Sequence, residues 1–362
     1  MSADERAWKR VEDLERKLRS RPADRELLLQ LVRAYGEAGR PDRAGEMLET
    51  RLDAESDWEL IALCCESHRQ AGRPERAQQV LDRASGPQDT TADFWTLRGR
   101  LHEDQTRWDD ALAAHGRAVK IAPNDAEARF RQGVTLMRAG RDDEAIAVFE
   151  QCLAVNAEMT KAQINIGVLL DQRGDSAGAI AAFQRAIQLN PASVESHCNL
   201  GAAYGDLGRR KDAISEFKRA LEIDADCVLA HFNLGVALMD EAPETALAEL
   251  RRALVLDPGN WEANYHLGVL YFKKGMYDAA VRLFQYCLQG RPDSIKALYS
   301  LGKAHNKSDK PALAIECLSR VVELDPVNAD AYYHLGVAND KAGDYDKGRL
   351  CYQQADRLRG KV

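Results

Sequence analysis

The chain has 362 residues, 45% hydrophobic, 30% charged and 7% aromatic, with a formal net charge of −7. An excess of 57 Asp and Glu over 50 Lys and Arg argues against a general phosphate-backbone binder, which needs clustered cations. No run approaches the ~18 apolar residues of a membrane span, and the charged opening MSADERAWKRVEDLERKLRS lacks the apolar core of a secretory signal. A cytoplasmic protein is expected.

Residues 3 to about 20 predict one amphipathic helix. Ala7, Val11, Leu14 and Leu18 fall on one face, and charged residues cover the other. Residues 1–24 are therefore assigned to an N-terminal capping helix, ended by Arg21 and Pro22. From residue 25 onward the chain repeats with a period of 34. With Thr160 as position 1, Gly167 stands at 8, Gly174 at 15, Ala179 at 20, Phe183 at 24, Ala186 at 27 and Pro191 at 32. The next unit repeats this with Gly201, Tyr204, Gly208, Ala213, Phe217 and Ala220.

That spacing of small, aromatic and turn residues resembles the tetratricopeptide repeat (TPR) family. The resemblance implies an all-α fold, a right-handed α-solenoid superhelix of about ten helix-turn-helix units behind the capping helix. Two degenerate units occupy 25–91 (25–57 and 58–91), with Val32 and Cys65 at position 8 and Leu48 and Leu81 at position 24. Eight further units fill 92–362: 92–125, 126–159, 160–193, 194–227, 228–260, 261–294, 295–328 and 329–362. The 228–260 unit is one residue short and carries Asp240, Glu241, Ala242 and Pro243 at its turn, so a local change of pitch is expected there. Asp309, Lys310 and Pro311 take the turn of the 295–328 unit, and Gly348 takes position 20 of the last. No further helix follows Ala355, so either Asp356, Arg357, Arg359 and Lys361 form a polar edge or the C-terminal face self-associates.

No catalytic motif is present, and neither an enzyme nor a cofactor is expected. Cys64, Cys65, Cys152, Cys198, Cys227, Cys287, Cys317 and Cys351 show no CxxC pair and read as small residues in a reducing compartment. Histidines recur at fixed repeat positions, as His197 and His231, His266 and His334, and His68, His102 and His305. Rows of this kind do not converge on one metal or substrate.

In the family, positions 2, 5, 6, 9, 12 and 13 of each first helix line a concave groove. Position 5 supplies Phe130, Phe232, Tyr265, Tyr299 and Tyr333. Position 6 supplies Asn165, Asn199, Asn233, His266 and His334, and position 13 supplies Lys273, Lys307 and Lys341. Carboxamides can clamp the backbone of an extended peptide whatever its sequence. Aromatic rings add contact area at low entropy cost, and lysines favour an acidic segment or a terminal carboxylate. A scaffold or adaptor holding a partner's peptide in this groove is the expected function.

The segments NIGVLLDQRGD, AAYGDLGR and AHFNLGVAL also resemble the repeat arm of O-linked N-acetylglucosamine transferases, though no transferase domain accompanies them. A targeting arm for an enzyme on a separate polypeptide is the alternative. The carboxylate clamp of chaperone-tail adaptors is not reproduced: Asn165 matches one element, but Phe130 and Val134 precede it and Glu195 and Asn199 follow.

Overall fold

The computed structural model describes residues 3–52, 57–83 and 90–360. Residues 53–56 of the 25–57 unit, residues 84–89 of the 58–91 unit, and Lys361 lie outside them. The described residues form 21 α-helices and no strand. They fall into two compact units, Met1–Arg173 and Gly174–Val362.

The first unit opens with α1 (Ala3–Ser20), whose Val11, Leu14 and Leu18 are buried and whose Ala7 is half-buried. It packs on α2 (Arg25–Glu37), and Tyr35 of α2 donates to Glu15 of α1. Then come α3 (Pro41–Glu49), α4 (Trp58–Gln70), α5 (Pro74–Arg83), α6 (Ala92–Asp104), α7 (Trp108–Ile121), α8 (Ala126–Arg138), α9 (Asp142–Val155) and α10 (Thr160–Gln172). Within this unit each helix from α1 to α9 packs on the next in sequence, the local pairing expected of stacked helical hairpins.

The second unit begins with α11 (Ser176–Leu189). Four pairs follow: α12 (Val194–Asp206) with α13 (Arg210–Ile223), α14 (Val228–Leu238) with α15 (Pro243–Leu256), α16 (Trp261–Lys273) with α17 (Tyr277–Gly290), and α18 (Ile295–Lys307) with α19 (Pro311–Leu324). A fifth pair, α20 (Ala329–Lys341) with α21 (Tyr345–Leu358), completes it. The shortened unit gives an α14 of 11 residues, against 13 in α12 and α16.

Local chemistry sets the helix ends. Asp24, Asp57, Thr91, Asp125, Ser193, Asn260, Ser294 and Asn328 each cap a first helix by accepting from a backbone N–H in its first turn, which satisfies a donor that has no partner within the helix. Most of the hairpin turns carry one left-handed residue where the chain reverses over the last carbonyls, although the shortened α14–α15 turn has none. Gly208 provides it at φ 71°, and Thr106 and Asp309 are forced into the same region at φ 56° and 55°. A β-branched side chain is costly there. Thr106→Gly is therefore expected to raise stability by about 1 kcal/mol, read as a higher urea midpoint; an unchanged or lower midpoint contradicts it.

Packing within a pair is set by the small residue at position 8 and the large one at position 24. Phe149, Phe217, Phe284 and Leu318 lie at no more than 3% exposure, and the position-20 residues Ala145, Ala213, Ala280 and Ala314 are fully buried. Each buried large side chain contributes about 1.5–3 kcal/mol. None of the described helices is long and apolar enough to cross a membrane.

Candidate functional site

In the second unit the first helices touch one another as well as their partners: α12 meets α14, α16 meets α18, and α18 meets α20. Their shared face carries most of the residues singled out from the sequence. Asn199 and Asn233 are half-buried. Among the described residues neither side chain takes part in a hydrogen bond within the protein, so both amides are uncommitted.

Beside them run two chains of ring contacts. Phe232 lies 5.8 Å from His266, and His266 meets the edge of Tyr265 at 5.4 Å. Tyr265 rests 5.8 Å from Phe284 and shares a hydrogen bond of 3.3 Å with the Ser300 hydroxyl. Tyr299 approaches His334 at 5.6 Å, and Tyr333 lies 5.4 Å from His334 and 5.6 Å from Tyr352. These separations suit tilted and edge-to-face pairs, each contributing about 0.5–1.5 kcal/mol beyond burial.

Burial pushes the His334 imidazole down to about 4, and the nearby Lys303 and Lys307 act in the same direction. Burial, with Lys296, also lowers His266. Neutral rings offer one donor and one acceptor each, so this face can hydrogen-bond a peptide backbone without adding charge.

Two of the recesses on the second unit are lined by residues of these first helices. One, of 540 Å³, is bounded by Ala202, Asp206, Arg210, Asn233, Val236 and Glu241, with Phe217 behind them. The other, of 190 Å³, is walled by Tyr265, Val269, Phe272, Phe284 and Tyr299, with Ser300 and Lys303 at its polar side.

The position-13 lysines do not form a uniform edge. Lys273 is held 2.9 Å from Asp240, which also lies 3.4 Å from Arg210. Lys341 is 3.0 Å from Asp309 and donates to the Asn306 carbonyl at 2.7 Å. Lys307 is exposed and, among the described residues, has no carboxylate within ion-pair distance. Two of the three lysines thus have intramolecular partners at exposed sites, where such pairs contribute at most about 1 kcal/mol.

In the first unit, Phe130 on α8 packs 5.7 Å from Phe149, and Asn165 on α10 is half-buried with no side-chain hydrogen bond among the described residues. His115 is not among the histidines the sequence singles out. It takes the position of the usual position-24 aromatic and is fully buried. Its Nε2 lies 2.9 Å from Glu103, which also accepts from Thr135 at 2.5 Å and Arg138 at 3.3 Å. The Glu103 carboxylate thus has three partners, while the buried Nδ1 of His115 has none, and the cluster belongs to the core. The signal for it was the absence of Phe or Leu at position 24. No group of His, Cys, Asp and Glu among the described residues is placed to hold a metal ion.

Comparison with known proteins follows the same lines. Four profiles of the tetratricopeptide repeat match residues 169–208 and 244–275; 66–126, 96–154 and 299–361; 194–227; and 262–294. Together they cover most of the chain from residue 66 to residue 361. No curated protein matches.

Among solved structures, the APC/C hetero-tetramer Cut9–Hcn1 is 15% identical, with a TM-score of 0.54 over 93% of this chain and 73% of that one. PilF of Pseudomonas aeruginosa is 20% identical, with a TM-score of 0.51 over 56% of this chain and 93% of its own. YrrB, described as a TPR protein with an unusual peptide-binding site, is 25% identical, with a TM-score of 0.43 over 51% of this chain and 95% of its own. The first two are similar to this chain in fold alone.

Proposed function

Since this chain belongs to the tetratricopeptide repeat family, we propose that it is a non-enzymatic scaffold whose second unit holds a segment of a partner protein against the face of its first helices. The observation that carries this reading is the pair of uncommitted carboxamides, Asn199 and Asn233, beside two runs of rings, one from Phe232 through His266 to Tyr265 and one from Tyr299 through His334 to Tyr333. A carboxamide that both donates and accepts can pair with a peptide unit whatever side chain it bears, contributing about 0.5–1.5 kcal/mol per bond. Tyr265, Tyr299 and Tyr333 then supply apolar area and a hydroxyl each, with the neutral His266 and His334 between them. Phe130 and Asn165 offer the same chemistry within the first unit. The eight cysteines are free, and five of them are buried, in keeping with a reducing cytoplasmic setting.

Affinity capture from the native lysate tests this, with wild type beside Asn199→Ala/Asn233→Ala. Neither amide bonds within the protein, so circular dichroism and the urea midpoint should stay as in wild type. Recovery of the specific partner should fall at least about tenfold, the loss of roughly two backbone hydrogen bonds. Equal recovery by both proteins overturns the reading. The same asparagine row suits the narrower role of a targeting arm for a transferase on another polypeptide. Transferase activity that co-purifies with wild type and not with the variant would select that role.

A further inference from the structure

Position 9 of the first helices is aliphatic in the neighbouring units, as Val236, Val269 and Val337, but α18 carries Lys303 there. Its ammonium lies 5.1 Å from the centre of the Tyr299 ring and 5.5 Å from that of Phe272. Two rings within about 6 Å hold the cation at the wall of the 190 Å³ recess. Nearby lysines find carboxylates: Lys273 on Asp240, Lys274 on Glu244, Lys310 on Asp278 and Lys341 on Asp309. Among the described residues Lys303 has none, nor do Lys296 and Lys307 on the same helix. The α18 sequence, IKALYSLGKAHNK, contains no Asp or Glu at all, although the chain carries a net charge of −7. The face of α18 is therefore a positive stretch that the protein's own acids do not neutralise.

The recess limits the size of what enters. At 190 Å³ it is below the ~300–1,000 Å³ of small-molecule sites, and its walls are mostly apolar. One apolar side chain fits such a space. The row of rings continues past it on both sides, through His266 to Phe232 and through His334 to Tyr333, so an occupying chain can run on in both directions.

We propose, resting on the peptide-binding reading above, that this recess takes one apolar side chain of an extended partner segment whose adjoining residue is Asp or Glu, with that carboxylate on Lys303. A charge-assisted contact over two aromatic rings gives the segment a fixed register, which the sequence-tolerant carboxamides cannot provide. An internal acidic residue is favoured over a chain terminus because the face extends beyond the recess at both ends.

The test pans phage-displayed random dodecapeptides, fused at their C-termini, against the full chain and against its Lys303→Glu, Lys303→Arg and Asn199→Ala/Asn233→Ala variants. The wild-type pool should be enriched in an apolar residue beside Asp or Glu. A peptide from that pool should bind Lys303→Glu at least about tenfold more weakly by fluorescence polarisation, and Lys303→Arg should retain it. A wild-type pool without acidic enrichment, or one unchanged in Lys303→Glu, overturns this inference while leaving the peptide-binding face intact. A parallel library fused at its N-termini decides between internal and terminal carboxylates: an acidic preference found only with its free C-termini overturns the internal segment in favour of a terminal carboxylate. Wild type that enriches nothing overturns both the inference and the proposed function.

Discussion

Replacing Phe284 with alanine should destabilise the second unit by about 3–5 kcal/mol, the range for removing a buried phenylalanine. Phe284 is 1% exposed and packs with Ala280, Val281, Leu301 and Ala304. Its ring lies against Gly268 of α16, and it forms the back wall of the recess beside Lys303. The space it leaves cannot close readily, because Gly268 has no side chain to move into it. Each helix packs mainly on its neighbours, so the damage should centre on α16 to α19 and spread by loss of contact with the adjoining pairs. A urea series on the full chain measures it; a shift under about 1 kcal/mol would contradict this account of what holds a pair together.

Gly268→Ala should also destabilise, by about 1–3 kcal/mol, against the helix propensity that favours alanine by ~1 kcal/mol. An added Cβ would stand 2.7 Å from Cε1 of Phe284, nearer than real Cβ contacts come, and the ring is enclosed by the core. The control is Gly116→Ala in α7. Nothing lies within 4 Å of a Cβ at that site, so the same substitution should stabilise by up to ~1 kcal/mol. The two effects are coupled. In a Phe284→Ala background, Gly268→Ala should lose most of its cost, giving an interaction energy of about 1–3 kcal/mol in the double-mutant cycle. Additive effects would show that position 8 does not act through the ring at position 24.

The fold was open to reading because its determinants are local and repeated. Gly268 and Phe284 recur as Gly201 with Phe217, Gly336 with Tyr352 and Gly302 with Leu318, and each pair meets as the helical period demands. The apolar stripe of α1 is equally plain, since Val11, Leu14 and Leu18 lie on one face and are buried together. Side-chain partnerships between neighbouring repeats were harder to see. Lys273 and Lys341 stand in the same register as Lys307, yet the first two meet carboxylates some 30 residues earlier in the chain, Asp240 and Asp309. No motif encodes those pairings; they depend on where stacking brings each turn.

Neither His115 nor Lys303 carries a sequence signal of its role, for related reasons. Each departs from its row, one from the aromatics at position 24 and the other from the valines at position 9. A departure in a repeat array means either decay or use, and only the surroundings distinguish them. His115 is enclosed with Glu103 and serves the core. Lys303 stands over two rings at an open recess, without an acid to meet it.

Hydrogen–deuterium exchange of the full chain, with and without a peptide selected by wild type, would locate the bound segment most directly. Binding against the first helices should slow exchange in α12, α14, α16, α18 and α20, most of all around Tyr299 and Lys303, and leave α13, α15, α17 and α19 nearly as they were. Protection confined to those second helices, or to α1, would place the partner on another surface and contradict the account.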